Sequence, residues 1–114
     1  MSASENKRGN SIREVLSILR SAGFSSPIRL AIMLYLTGSG HAYFNDLVEA
    51  LDVTPGNLWS HLEKLEEQGM IRIRRVLKDR PRVRVEVTDK GMEETMKLVR
   101  KLKEAIQAYL EKQG

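Results

Sequence analysis

TPGNLWSHLEKLEEQGMIRIRRVLKDRPRVRVEVTDKG, residues 54–91, changes its hydrophobic period once, and that change decides the fold. Up to Gln68 the apolar residues Leu58, Leu62 and Leu65 fall at helical spacing. Thr54 stands where a cap is needed, Pro55 suits the first helical position, and Gly69 suits a left-handed stop. From Met70 the period drops to two. Ile71 and Ile73 alternate with Arg72 and Arg74, and Val83, Val85 and Val87 alternate with Arg82, Arg84 and Glu86, on either side of the polar turn Lys78-Asp79-Arg80-Pro81. The expectation is a helix over 54–68 followed by a hairpin over 71–88, with valines inward and arginines outward.

Upstream, Leu47, Val48 and Leu51 mark a short helix capped by Asn45, with Phe44 as its hydrophobic staple and Asp52-Val53 as a tight connection to Thr54. His41-Ala42-Tyr43 has room for one edge strand only. Ser26-Pro27 opens a nearly all-apolar helix that Gly38-Ser39-Gly40 ends. Ile12, Val15, Leu16 and Leu19 predict an amphipathic helix over 11–22, and the polar residues 1–10 read as a flexible tail. Downstream, Asp89 is placed to cap a last helix within 90–114. The fold class is mainly α with a small β-hairpin, and the element order is that of a winged helix-turn-helix domain over 11–89 with one helix added at each end.

Across 114 residues the net charge is only +4, but its placement is uneven. Arg72–Arg84 holds seven basic residues against the single acid Asp79, a local charge of +6, so the rest of the chain sums to −2. Such a patch fits a polyanionic partner, with a merely solvated sheet face as the alternative. There is no cysteine, which excludes disulfides, thiol redox sensing and thiolate metal sites. His41 and His61 are the only histidines and stand on different elements, so neither a metal nor any other cofactor is expected. No glycine-rich phosphate loop follows a strand, and no orienting acid accompanies a Ser/His pair; an enzyme is not expected. No apolar run approaches the roughly 20 residues of a membrane span and no signal peptide is recognisable, so a cytoplasmic protein without membrane contact is expected.

With Leu58, Leu62 and Leu65 inward, the helix over 54–68 turns Gly56, Asn57, Ser60 and Lys64 outward, with Trp59 and His61 on its flanks. Small or polar residues at this end let a helix approach base edges in a major groove, where asparagine bonds adenine bidentately and serine or histidine reaches bases or phosphates. The helix N-terminus favours phosphate as well. Glu63, Glu66 and Glu67 lie toward the other end. Beside this helix, arginines on a β-ribbon suit the DNA backbone or a minor groove. Read alone, Asn57, Ser60 and His61 are equally ordinary surface residues; the adjacent basic hairpin favours double-stranded DNA. The candidate contacts are Thr54, Gly56, Asn57, Ser60, His61, Lys64, Arg74, Lys78, Arg80 and Arg82.

The stretches Leu47–Leu58 and Ser60–Gly69, then Arg80-Pro81-Arg82 followed by Val87-Thr88-Asp89-Lys90-Gly91, resemble winged helix regulators of the MarR-like and ArsR-like type. The resemblance covers about Ser26–Met92. It implies a recognition helix at Thr54–Gln68, a wing at Lys78–Arg82 and a dimeric transcription factor. Many members of that family carry a small residue where this chain has Trp59, which leaves two places for the indole: against the hairpin, or along the DNA backbone.

In the last helix Met92, Met96, Val99, Leu102, Ile106 and Tyr109 recur at steps averaging near 3.5, close to a coiled-coil seam. A helix of that length outruns a single winged domain. The expected dimer interface is therefore Ile12, Leu16, Leu19, Met96, Val99, Leu102, Ile106 and Tyr109, with packing inside one chain as the alternative. A two-fold dimer would set two recognition helices about one DNA turn, roughly 34 Å, apart. The expected function is a sequence-specific DNA-binding transcriptional regulator, a dimeric repressor. The alternatives are a protein-interaction module on the same fold, or a non-specific architectural nucleic-acid-binding protein. Any small-molecule effector would have to lodge at the dimer interface.

Overall fold

A computed structural model describes residues 3–21, 23–77 and 81–113, with side chains from residue 10 onward. The order is α1 (Ala3–Leu19), α2 (Pro27–Ser39), β1 (His41–Tyr43), α3 (Phe44–Leu51), α4 (Pro55–Glu67), β2 (Ile71–Val76), β3 (Arg82–Val87) and α5 (Asp89–Gln113). The mainly helical winged architecture read from the sequence is present. Its sheet is three-stranded and antiparallel in the order β1-β3-β2, because β1 lies along β3 with Ala42 opposite Val85, and β2 pairs with β3 with Ile73 opposite the same valine.

The sequence signals act where expected at two helix starts. The Ser26 side chain accepts a hydrogen bond from the Arg29 N–H, and the Thr54 side chain accepts one from the Asn57 N–H at 3.2 Å, each with proline in the first turn. At two others the cap is shifted. Tyr43, not Asn45, occupies the cap position of α3, without a side-chain bond, and Phe44 is the first helical residue. Thr88, not Asp89, caps α5: its Oγ1 accepts from the Gly91 N–H at 3.0 Å and donates to the Gly69 carbonyl at 2.6 Å. One hydroxyl thus ties the α4–β2 turn to the start of α5. α1 also differs from expectation, running from Ala3 rather than Ser11 and ending at Leu19, so the stretch read as a tail is helical from Ala3.

Ile32, Met33 and Leu36 of α2, Leu47 of α3, Leu58, Leu62 and Leu65 of α4 and Val85 of β3 are fully buried in one core. Met70 and Ile71 belong to the same core. Gly91 lies against the Met70 backbone so tightly that a Cβ there would overlap the Met70 carbonyl oxygen. α1 and α5 pack on each other, with Val15 and Leu98 continuing this core and Ala105 and Ala108 buried beyond it, and with the Lys101 ammonium 2.7 Å from the Glu14 carboxylate.

Candidate nucleic-acid interface

The stripe Leu58, Leu62 and Leu65 fixes the rotation of α4, and the opposite face follows from it. Gly56, Asn57, Ser60 and Lys64 are all exposed on that face. Thr54 is exposed as well, with its hydroxyl engaged in the cap. The Asn57 and Leu58 N–H groups return to Thr54 and Pro55 has none, so the Gly56 N–H is the first-turn donor directed out of the helix end. A Cβ built at Gly56 would meet nothing within 4 Å. The fold therefore does not demand glycine here, and the space that the missing side chain leaves is open to a partner.

His61 takes a different place from its expected one. Its ring turns onto α2, where Nδ1 lies 3.0 Å from a terminal nitrogen of the buried Arg29, which also donates to the Ser25 hydroxyl at 2.9 Å. A guanidinium can only donate, so Nδ1 must be the unprotonated acceptor. Burial, then the positive charges of Arg29 and Lys64, hold the imidazole pKa below its ordinary value. His61 thus braces α4 against α2. The Trp59 ring packs edge-on against Phe44 at the start of α3, centroids 5.8 Å apart. Phe44 also helps line a cleft of about 440 Å³ with Asn45 and Asp46 of α3 and Arg75, Leu77 and Arg82 of the hairpin. Through Trp59 and Phe44 the first turns of α4 adjoin the end of the hairpin.

The alternation of the hairpin breaks once. Pairing places Arg75 opposite Val83, on the valine face, and Val76 opposite Arg82, on the arginine face. The doublet Arg74-Arg75 carried that signal, since two consecutive residues of a strand cannot share a face. Arg75 is consequently exposed on the side of the cleft and belongs among the candidate contacts, although the sequence reading did not include it. Arg82 is exposed, with its guanidinium 4.9 Å from the centre of the Tyr43 ring. Arg74 lies on the outer face, its Nε 2.8 Å from Glu86. Lys78 and Arg80, the expected tip contacts, lie outside the described residues.

Residues 28–106 match the family model of the winged helix DNA-binding domain. The chain belongs to that family. Its winged helix is similar to the uncharacterised protein MJ0432 of Methanocaldococcus jannaschii, at 41% identity over 69 residues, 60% of this chain and 75% of that protein. It is also similar to the solved structure of a transcriptional regulator homologue from Pyrococcus horikoshii OT3. That match has 40% identity and a TM-score of 0.76, covering 85% of this chain and 97% of the other. The transcriptional regulator Tm0710 of Thermotoga maritima shares the fold at 20% identity and a TM-score of 0.70, over 96% of this chain and 77% of its own. The domain is accordingly a winged helix DNA-binding domain rather than a catalytic one, with α4 and the β2–β3 hairpin as its candidate recognition helix and wing. The resemblance read in the sequence holds at this level. No described helix is long and apolar enough to cross a membrane.

Proposed function

We propose that the protein is a dimeric, cytoplasmic transcriptional repressor that acts by occupying its DNA site. The observation that carries this reading is the exposed face of α4, where Gly56 leaves open space between a directed backbone N–H and the side chains of Asn57, Ser60 and Lys64. In a major groove, Asn57 and Ser60 read base edges, while Lys64 and the exposed Thr54 end of the helix meet phosphate. The wing, through Arg75 and Arg82 with Lys78 and Arg80 between them in sequence, holds the backbone or an adjacent minor groove. His61 serves indirectly by bracing the recognition helix on Arg29.

Dimerisation is supported by which row of α5 the fold leaves uncovered. Its intramolecular seam uses Gly91, Thr95, Leu98, Ala105 and Ala108, small residues for the most part. The larger apolar row lies one position further on: Leu102, Ile106 and Tyr109 are 44%, 51% and 53% exposed, beside Ile12 at 54% and Leu16 at 43% on α1. Of the other expected interface residues, Leu19, Met96 and Val99 are half-buried. Selection of bound sequences from a random duplex pool tests the function. A near-palindrome with half-sites about ten base pairs apart is expected. A motif without two-fold symmetry would remove the dimeric reading, and no motif would remove sequence-specific regulation.

A further inference from the structure

Strand register gathers on the outer face of the sheet His41 and Tyr43 from β1, Arg82, Arg84 and Glu86 from β3, and Arg72 and Arg74 from β2. Ala42, Val85 and Ile73 point the other way, to the core. Four arginines therefore share one surface with one carboxylate. Arg74 and Arg84 stand directly opposite each other, an unfavourable arrangement for like charges. Glu86 relieves it with one oxygen to each, at 2.8 and 2.9 Å. Arg72 and Arg82 meet no carboxylate within 4 Å among the described residues. The face keeps a formal charge of +3, and the core makes no use of it.

We infer that this outer sheet face is a second DNA-binding surface, which takes the phosphate backbone of duplex flanking the site that α4 reads. The inference rests on the DNA-binding reading of α4 and extends it to residues, Arg72 and Arg84, that neither the recognition helix nor the wing tip requires. The spacing suits the ligand. Alternate residues of a strand are about 6.8 Å apart, close to two base-pair rises of roughly 3.4 Å. Six-residue strands span about 20 Å, so arginines at both ends of the face can meet several phosphates of one strand. The geometry also selects duplex over single strand. A single-strand platform needs free aromatic faces for base stacking. Here the Tyr43 ring lies under the Arg82 guanidinium, with His41 set at 85° to it and 6.2 Å away. What the face offers outward is charge.

Binding to two duplexes tests this: the minimal footprinted site, and the same site with about 15 base pairs added at each end. Wild-type protein is expected to bind the longer duplex about tenfold more tightly. Arg72→Gln combined with Arg84→Gln should abolish that preference and leave the minimal site within twofold. The same pair should reduce the salt slope on the longer duplex by about two, each neutralised phosphate contributing roughly 0.9. Glu86→Gln, which releases two arginines, should raise affinity for the longer duplex severalfold, and it gives a second readout should the double variant not fold. Equal binding of both duplexes by the wild type overturns the inference, as does an equal loss on both by the double variant. So does abolition of the length preference by an equal concentration of single-stranded competitor. A wild type that binds neither duplex overturns the reading of α4 itself.

Discussion

Gly56 separates what the fold needs from what a partner needs. Glycine in a helix is less favourable than alanine by roughly 0.5–1 kcal/mol, because it has more backbone freedom to lose. Nothing in the chain repays that loss, since the φ at Gly56 is not left-handed and the position of its absent Cβ is empty. Gly56→Ala is therefore expected to raise thermal stability by up to about 1 kcal/mol while weakening specific DNA binding at least tenfold, as read by melting and by fluorescence anisotropy on the selected site. A stabilised variant with unchanged affinity would show that no groove wall comes so close. Gly91 is the opposite case: the Met70 carbonyl leaves no room for a side chain, so the glycine of Thr88-Asp89-Lys90-Gly91 is explained by packing alone.

Between elements, His61 of α4 and Arg29 of α2 join the two helices by a side-chain hydrogen bond. The imidazole is neutral in this arrangement and its pKa is depressed by burial and by two nearby cations. Its sign follows from linkage. The unfolded chain binds a proton on this histidine more readily than the folded one, so the contribution is fully present above the ordinary pKa of about 6.5 and is lost as pH falls through the lower folded value. Denaturant midpoints should therefore decline from about pH 6.5 downward, before most carboxylates titrate, and His61→Gln should flatten that decline. A wild-type and variant pair with parallel profiles would detach the effect from His61. This bond also marks the limit of what the sequence made legible. Period and proline placement located each helix and strand, because these are local signals, but they missed the start of α1 and the caps of α3 and α5. The rotation of α4 was legible too, from three leucines, and with it Gly56, Asn57, Ser60 and Lys64. His61 and Trp59 were placed by partners distant in sequence, namely Arg29 and Phe44, which no local pattern announces, whereas the face of Arg75 was legible in the doublet Arg74-Arg75. The cap of α5 moved from Asp89 to Thr88 for a related reason, since Thr88 also bonds Gly69 across the turn.

The whole molecule measures 61 × 26 × 24 Å with a radius of gyration of 16.8 Å, against about 13 Å for a compact domain of this length. The excess lies in α1 and α5: twenty-five residues of α5 extend about 37 Å, and only their beginning overlies the winged core. Periodicity alone offered one stripe on α5 and two possible partners for it, the same chain or a second copy. The structure divides the helix differently. Thr95, Leu98, Ala105 and Ala108 are buried on one row, and the adjacent row of Leu102, Ile106 and Tyr109 is left to solvent. A half-exposed large apolar side chain leaves roughly 1 kcal/mol of burial unrealised, and several of them aligned along a projecting pair of helices form a self-complementary surface for a two-fold partner. Leu102→Glu with Ile106→Glu should convert a dimer to a monomer by light scattering. Because both side chains already face solvent within one chain, the helical circular dichroism signal should persist. Affinity for a single half-site should then stay within a few fold, while affinity for the full palindrome should fall at least a hundredfold, as the second recognition helix no longer binds at the effective concentration that the first one supplies. A palindrome bound equally well by the monomeric variant would mean that α1 and α5 serve the stability of one chain and not the spacing of two.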